Sequence, residues 1–221
     1  MPKKSELIVM LTWHDYTVEN ALQVFEESKD STARCWGMKE HSLPVEQMKE
    51  LYARMRACGK TTLLEVVAYS EAEGLAGAKL AAECGCDILL GTKYADSINH
   101  YCQEHGIKYM PFVGDIVGRP SVLRGDVNAL VREAKECLSR GVYGINLLGY
   151  RYEGDYNLLY EAFIENIDAP VCLAGSINSY DRLDEIKRLA PSLFTIGSAF
   201  FEKKFGETIA EQIDNVHQYM Q

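Results

Sequence analysis

The chain of 221 residues has no long apolar run, no surplus of positive charge and no low-complexity tract. Leu7 to Leu11 is the apolar run near the start. It is far below the ~18 residues of a spanning helix and short for a signal peptide, so a cytoplasmic protein with no membrane partner is expected. Thirty-two acidic residues outnumber 23 basic ones, for a formal net charge of −9. That balance argues against nucleic acid or an anionic membrane as partner, since both require clustered positive charge. An anionic ligand would have to meet a local basic pocket.

Metal-finger spacing is also missing. Cys84-Gly-Cys86 has no second Cys/His pair nearby, and the seven cysteines, an odd number, read as reduced core residues. No metal and no cofactor are expected. Of the histidines only His14 follows a strand, while His41 falls in a loop and His100, His105 and His217 fall in helical stretches.

What the sequence does contain is a regular alternation of short β-branched or apolar runs with longer amphipathic stretches. The expected strands are Leu7–Thr12, Ala33–Lys39, Thr62–Ala68, Asp87–Gly91, Lys108–Val113, Tyr143–Leu148, Pro170–Ala174 and Leu193–Ile196. Pro44 and Ser179 mark helix starts; Gly59, Gly85, Gly106 and Gly141 mark helix ends. Eight βα units without a linker predict an α/β fold, a (β/α)₈ TIM barrel that fills residues 1–221 as one domain. A closing helix is expected from about Glu207 to Tyr219, after a short extra helix around Phe200–Lys203. Association of identical chains is left open.

In such barrels the chemistry gathers at the C-terminal ends of the strands. The last two strands end in Ala174-Gly175-Ser176 and Ile196-Gly197-Ser198, each just before a helix. Glycine removes the Cβ that would keep a phosphate oxygen from the backbone N–H groups, and serine adds a hydroxyl donor. The stretch from Ala169 to Phe205 that carries the pair resembles the ribulose-phosphate-binding barrel superfamily. That group includes histidine- and tryptophan-synthesis isomerases, ribulose-phosphate epimerases and sugar-acid phosphate decarboxylases. The resemblance implies that Gly175, Ser176, Gly197 and Ser198 bind the phosphate of a small phosphorylated metabolite.

A weaker likeness to ketodeoxy-phosphogluconate aldolases runs from Cys102 to Val113. Those aldolases carry a Schiff-base lysine on strand six, where Gly144–Leu148 here offers Asn146 instead. The Asp-x-Lys-x-x-Asp motif of orotidine- and gulonate-phosphate decarboxylases is missing from strand three. The epimerases' set of metal-binding histidines and aspartates has no counterpart here beyond His14.

Strand alternation nominates the reacting groups. In the third strand Leu64, Val66 and Ala68 suit the helix layer, which turns Glu65 inward with Leu63 and Val67. In the second, Cys35, Gly37 and Lys39 share a face, so Lys39 is expected to meet Glu65 near the mouth. Lys93, beyond the fourth strand, is a second amine that could form a Schiff base or neutralise an enolate. Asp115 sits after the fifth strand, where sugar-phosphate isomerases hold an acid/base aspartate, and its flanking glycines suggest a mobile loop. His14 and Asp15 form another acid/base candidate, unless Asp15 or Thr17 caps the first helix. Arg119 and Arg151 lie in the two most polar loops and are candidate anion clamps.

The residues taken as catalytic are therefore Lys39, Glu65, Lys93 and Asp115, with Gly175, Ser176, Gly197, Ser198, Asn146, Arg151 and His14 as the binding set. They suit metal-independent enolate, enediol or Schiff-base chemistry on a phosphosugar or sugar acid. An aldolase-type lyase is slightly favoured, a sugar-phosphate isomerase or epimerase is the alternative, and a non-catalytic phosphometabolite sensor is the competing class.

Overall fold

A computed structural model of the chain describes residues 5–221. Of the 1–221 expected as one domain, residues 1–4 lie outside them. Eight parallel strands close on themselves: β1 (Glu6–Met10), β2 (Cys35–Lys39), β3 (Thr61–Val66), β4 (Ile88–Lys93), β5 (Lys108–Phe112), β6 (Ile145–Leu147), β7 (Val171–Leu173) and β8 (Leu193–Ile196). Each expected strand is present, most of them shorter by a residue or more than the sequence suggested. Closure joins the first strand to the last, with Glu6 opposite Leu193 and Val9 opposite Ile196. The helices are α1 (Ala21–Ser28), α2 (Val45–Ala57), α3 (Glu71–Cys84), α4 (Asp96–Glu104), α5 (Val127–Ser139), α6 (Tyr156–Asn166), α7 (Tyr180–Leu189), α8 (Ser198–Phe201) and α9 (Ile209–Tyr219). Among the described residues no helix is long and apolar enough to cross a membrane.

Local chemistry accounts for many of the boundaries. Pro44 and Ser179 stand at the N-caps of α2 and α7, and the Ser179 hydroxyl accepts from the Arg182 N–H. Thr208 and Glu211 form a capping box that starts α9. The short helix α8 begins two residues earlier than expected, because Phe200 N–H already bonds to Gly197 C=O. Neither Asp15 nor Thr17 caps α1, whose N-cap is Asn20. Thr17 instead exchanges hydrogen bonds with the Lys39 backbone.

Two apolar layers follow from strand alternation. Ile8, Met10, Cys35, Leu63, Ile88, Leu90, Met110 and Cys172 fill the barrel interior. Leu64, Val66 and Ala68 belong to the larger layer between barrel and helices. The inward parity expected for Glu65 and Lys39 therefore holds. The interior is apolar at its base and ionisable only towards the C-terminal strand ends.

Two antiparallel ribbons cover part of the mouth. One, Thr12–Trp13 with Tyr16–Thr17, turns at His14 and Asp15, both with positive φ. The other pairs Asp115–Val117 with Val122–Arg124, a hairpin where the sequence suggested a loop. Tyr69 hydroxyl donates to Gly118 C=O at 2.8 Å, and Arg119 reaches Glu40 at 3.1 Å and the Asp15 carbonyl at 3.2 Å.

Helix α3 lies close on the barrel because Gly77 faces Val66, where an added Cβ would stand 2.5 Å from Val66 Cγ1. Helix propensity alone would make Gly77→Ala stabilising by about 1 kcal/mol. Packing should reverse the sign, and chemical denaturation should find the variant less stable by about 1–3 kcal/mol with an unchanged m-value.

Candidate functional site

The C-terminal strand ends enclose a polar cavity of about 190 Å³. Its wall combines Gly175, Ser176, Gly197 and Ser198 with Asp15, Lys39, Glu65 and Arg151. A separate cavity of about 250 Å³ between α6 and α7 is walled largely by apolar groups such as Phe163, Val171 and Leu189. It brings together no comparable ionisable set.

The reacting end is built on β2 and β3. Lys39 and Glu65 are register partners on adjacent parallel strands, so their side chains leave the sheet side by side. Lys39 Nζ lies 3.5 Å from Glu65 Oε2 and 2.9 Å from Asp15 Oδ1. All three side chains are buried. Asn146, fully enclosed on β6, has Nδ2 3.5 Å from Glu65 Oε1, while its Oδ1 has no partner. An amide oxygen left unpaired in the interior is a vacant acceptor.

The sequence offers Asp15 as half of an acid/base pair with His14 or as a helix cap. The structure makes it the central carboxylate: Oδ1 takes Lys39, and Oδ2 takes Arg151 Nη1 at 3.0 Å. Burial pushes the Asp15 carboxyl up, but Lys39 and Arg151 together outweigh it and hold the group below its ordinary value. A chemical signal for this pairing exists in the sequence, a carboxylate after strand one and a lysine ending the adjacent strand two. What sequence cannot give is the tight His14-Asp15 turn that points the carboxylate inward.

The Gly-Ser end is built on β7 and β8. Gly175 and Ser176 both have positive φ, which bends the chain after β7 towards the cavity. Among the described residues the N–H groups of Gly175, Ser176, Gly197 and Ser198 meet no backbone acceptor. Unsatisfied donors and two hydroxyls in one wall are an anion cradle in the chemical sense. Arg151 Nε stands 3.4 Å from Ser176 Oγ and adds a cation to it. Gly197 also permits closure of the barrel, since a Cβ there would meet Thr12 Oγ1 at 2.5 Å and the Thr12 carbonyl at 3.0 Å.

The other nominated residues lie further out. His14 is exposed, stacks on Trp13 and enters the site only through its N–H, which donates to Ser198 Oγ at 3.1 Å. Lys93 ends β4 outside the cavity wall, 3.9 Å from Asp115 Oδ1, and both side chains are exposed. The structure thus brings Lys39, Glu65, Asn146 and Arg151 together and leaves the Lys93–Asp115 pair apart. Arg119 acts as a tie between the hairpin and Glu40. Among the described residues no three His, Cys, Asp or Glu side chains converge as a metal-binding set.

Because the folded Asp15 carboxyl is held below its ordinary value, the stability it contributes is complete above the unfolded carboxylate range and is lost as pH falls through the folded value. Asp15→Asn should therefore cost about 3 kcal/mol at neutral pH by leaving Lys39 and Arg151 short of a partner. Thermal melts across pH should show the gap between variant and parent narrowing below about pH 4, where the unfolded chain's aspartate takes up protons, and closing as pH falls through the lower folded value.

No family model matches the chain, and no curated protein matches it in sequence. Solved structures do. A 4-hydroxy-2-oxoglutarate/2-dehydro-3-deoxyphosphogluconate aldolase aligns at TM-score 0.66 and 16% identity, covering 99% of this chain and 96% of its own. N-acetylmannosamine-6-phosphate 2-epimerase from Clostridium perfringens aligns at TM-score 0.66 and 13% identity, covering 90% and 88%. N-(5'-phosphoribosyl)anthranilate isomerase from Pyrococcus furiosus aligns at TM-score 0.66 and 13% identity, covering 98% of each. These neighbours are barrels of the ribulose-phosphate-binding group that the paired Gly-Ser motif resembles, and at such identities the likeness is one of fold.

Proposed function

We propose that the chain is an enzyme that carries out metal-independent proton transfer on a small phosphorylated sugar or sugar acid. The carrying observation is that one cavity joins the Gly175-Ser176 and Gly197-Ser198 donors to the buried Lys39–Glu65 pair. The phosphate sits at the cradle and the carbonyl end reaches Lys39. Glu65 removes the proton beside the carbonyl, and the Lys39 ammonium stabilises the oxygen as it becomes an enolate. Asn146 donates its N–H to Glu65 and orients that carboxylate.

In aldol-type cleavage Glu65 would instead take the proton of the hydroxyl on the β carbon; that oxygen becomes the carbonyl of one fragment as the carbon–carbon bond breaks, and the bond's electron pair becomes the enolate of the other, held opposite Lys39 until it is protonated. The Schiff-base form of this cleavage would fall to Lys39, since Lys93 stands outside the cavity. Isomerisation is the second reading, and a specific contact favours it. Lys39 is gripped by both Asp15 and Glu65, an arrangement that suits an ammonium polarising a carbonyl better than a free amine attacking one.

Incubation with phosphorylated ketoses and keto acids, followed by borohydride and mass spectrometry, separates the readings. An adduct on Lys39 supports the Schiff-base lyase. Solvent deuterium entering a bound sugar without an adduct supports the isomerase, and binding with neither supports a sensor over an enzyme. With a turned-over substrate in hand, Glu65→Gln should lower kcat about 10²–10⁴-fold with a smaller change in KM.

For the cradle, titration with inorganic phosphate followed by 31P NMR should give saturable binding. Ser176→Ala combined with Ser198→Ala should weaken it about tenfold or more, in keeping with hydrogen bonds to a charged group. Undiminished affinity in that double variant would overturn the placement of the phosphate.

A further inference from the structure

The cradle and the reacting pair are not independent, because one carboxylate is shared between them. Arg151 presents Nε to Ser176 Oγ at 3.4 Å, and its Nη1 and Nη2 to Asp15 at 3.0 and 3.4 Å. Asp15 in turn holds Lys39 at 2.9 Å, and Lys39 holds Glu65 at 3.5 Å. The line Ser176, Arg151, Asp15, Lys39, Glu65 runs from one end of the cavity to the other.

We infer that Asp15 is a positioning residue that couples phosphate occupancy at the cradle to the state of the Lys39–Glu65 pair. This rests on the cradle being the phosphate site. A phosphate dianion in the cradle carries more charge than the Asp15 carboxylate and brings three strong acceptor oxygens, so it draws the Arg151 guanidinium to itself. The arginine stem is already at the cradle wall, and only its planar head has to turn. Asp15 then keeps a single side-chain partner, Lys39, since Arg119 touches only the Asp15 carbonyl.

The consequence falls on Glu65. With Arg151 gone, Lys39 is pulled towards Asp15, its nearer carboxylate, and away from Glu65. Glu65 is left with Asn146, free of the ammonium that shared its charge. A carboxylate so released is a better proton acceptor, and it is released only when the phosphate end of a ligand is seated. Ligands without a phosphate would find the base still tied up, so the coupling selects phosphorylated substrates at the reacting end as well as in binding. The bent turn at His14-Asp15, with positive φ at both residues, fixes the backbone of the coupling carboxylate while its two partners compete for it.

The test uses 15N-labelled full-length protein titrated with inorganic phosphate. Binding is read from the 31P line, and the reacting end from the 1H–15Nζ signal of Lys39. In the parent protein the Lys39 signal should shift with the same half-saturation as the 31P line. In Asp15→Asn phosphate should still bind, and the Lys39 shift at saturation should shrink at least threefold; Asp15→Glu should restore most of it. Binding in the parent with an unmoved Lys39 signal, or an undiminished shift in Asp15→Asn, would overturn the coupling while leaving the cradle intact. No saturable 31P change in the parent would instead overturn the cradle itself. Should Asp15→Asn fail to fold, Arg151→Lys serves in its place, with the same loss of the Lys39 response expected because a lysine cannot bridge Ser176 and Asp15.

Discussion

A buried carboxylate shared by two cations governs the mouth of this barrel. Asp15, Lys39 and Arg151 come from three separate stretches of chain, and none of the charges could be enclosed alone without a penalty of several kcal/mol. Their mutual pairing lets β1, β2 and the β6–α6 segment converge over a polar cavity where an apolar plug would otherwise be the stable solution. Glu65 and Asn146 complete the set from β3 and β6. The apolar interior below, from Ile8 to Cys172, supplies a rigid floor, so the cluster sits on packed side chains and not on solvent.

The cavity divides by chemistry. Its outer part is made of backbone donors and hydroxyls that can meet an anion of almost any sequence context, which is why a short Gly-Ser pair suffices to build it. Its inner part depends on specific side chains whose positions are set by strand register. On the proposed reading, recognition of the ligand's anionic end and action on its other end belong to different strands, β7 and β8 for the first, β2 and β3 for the second. Barrels of this kind host many reactions by varying the residues at their C-terminal strand ends.

Much of this was legible beforehand. Eight apolar runs separated by capped helices define the barrel, because period and punctuation are local properties. The inward parity of Lys39 and Glu65 follows from the apolar partners that occupy the opposite face. The role of Asp15 was not legible, since it depends on a two-residue turn with left-handed backbone and on an arginine far along the chain. Nor was it legible that Lys93 stands outside the cavity wall. Strand position placed it at the rim, but the ladder shifts register between Leu90 and Lys93, where Gly91 and Thr92 have positive φ, and the side chain lies beside Asp115 in solvent. The glycines around Asp115 suggested a loop, whereas Gly114 and Gly118 serve a hairpin.

That hairpin, tied down by Arg119 and Tyr69, crosses the side of the mouth above β2 and β3. Traffic must therefore pass on the β7 and β8 side, where Ser176 is exposed while Glu65 is deep. On the proposed reading, a ligand enters with its reactive end leading and its phosphate trailing; were it broken in two, the phosphate-bearing piece would block the way out for the other, and the products would leave in a fixed order.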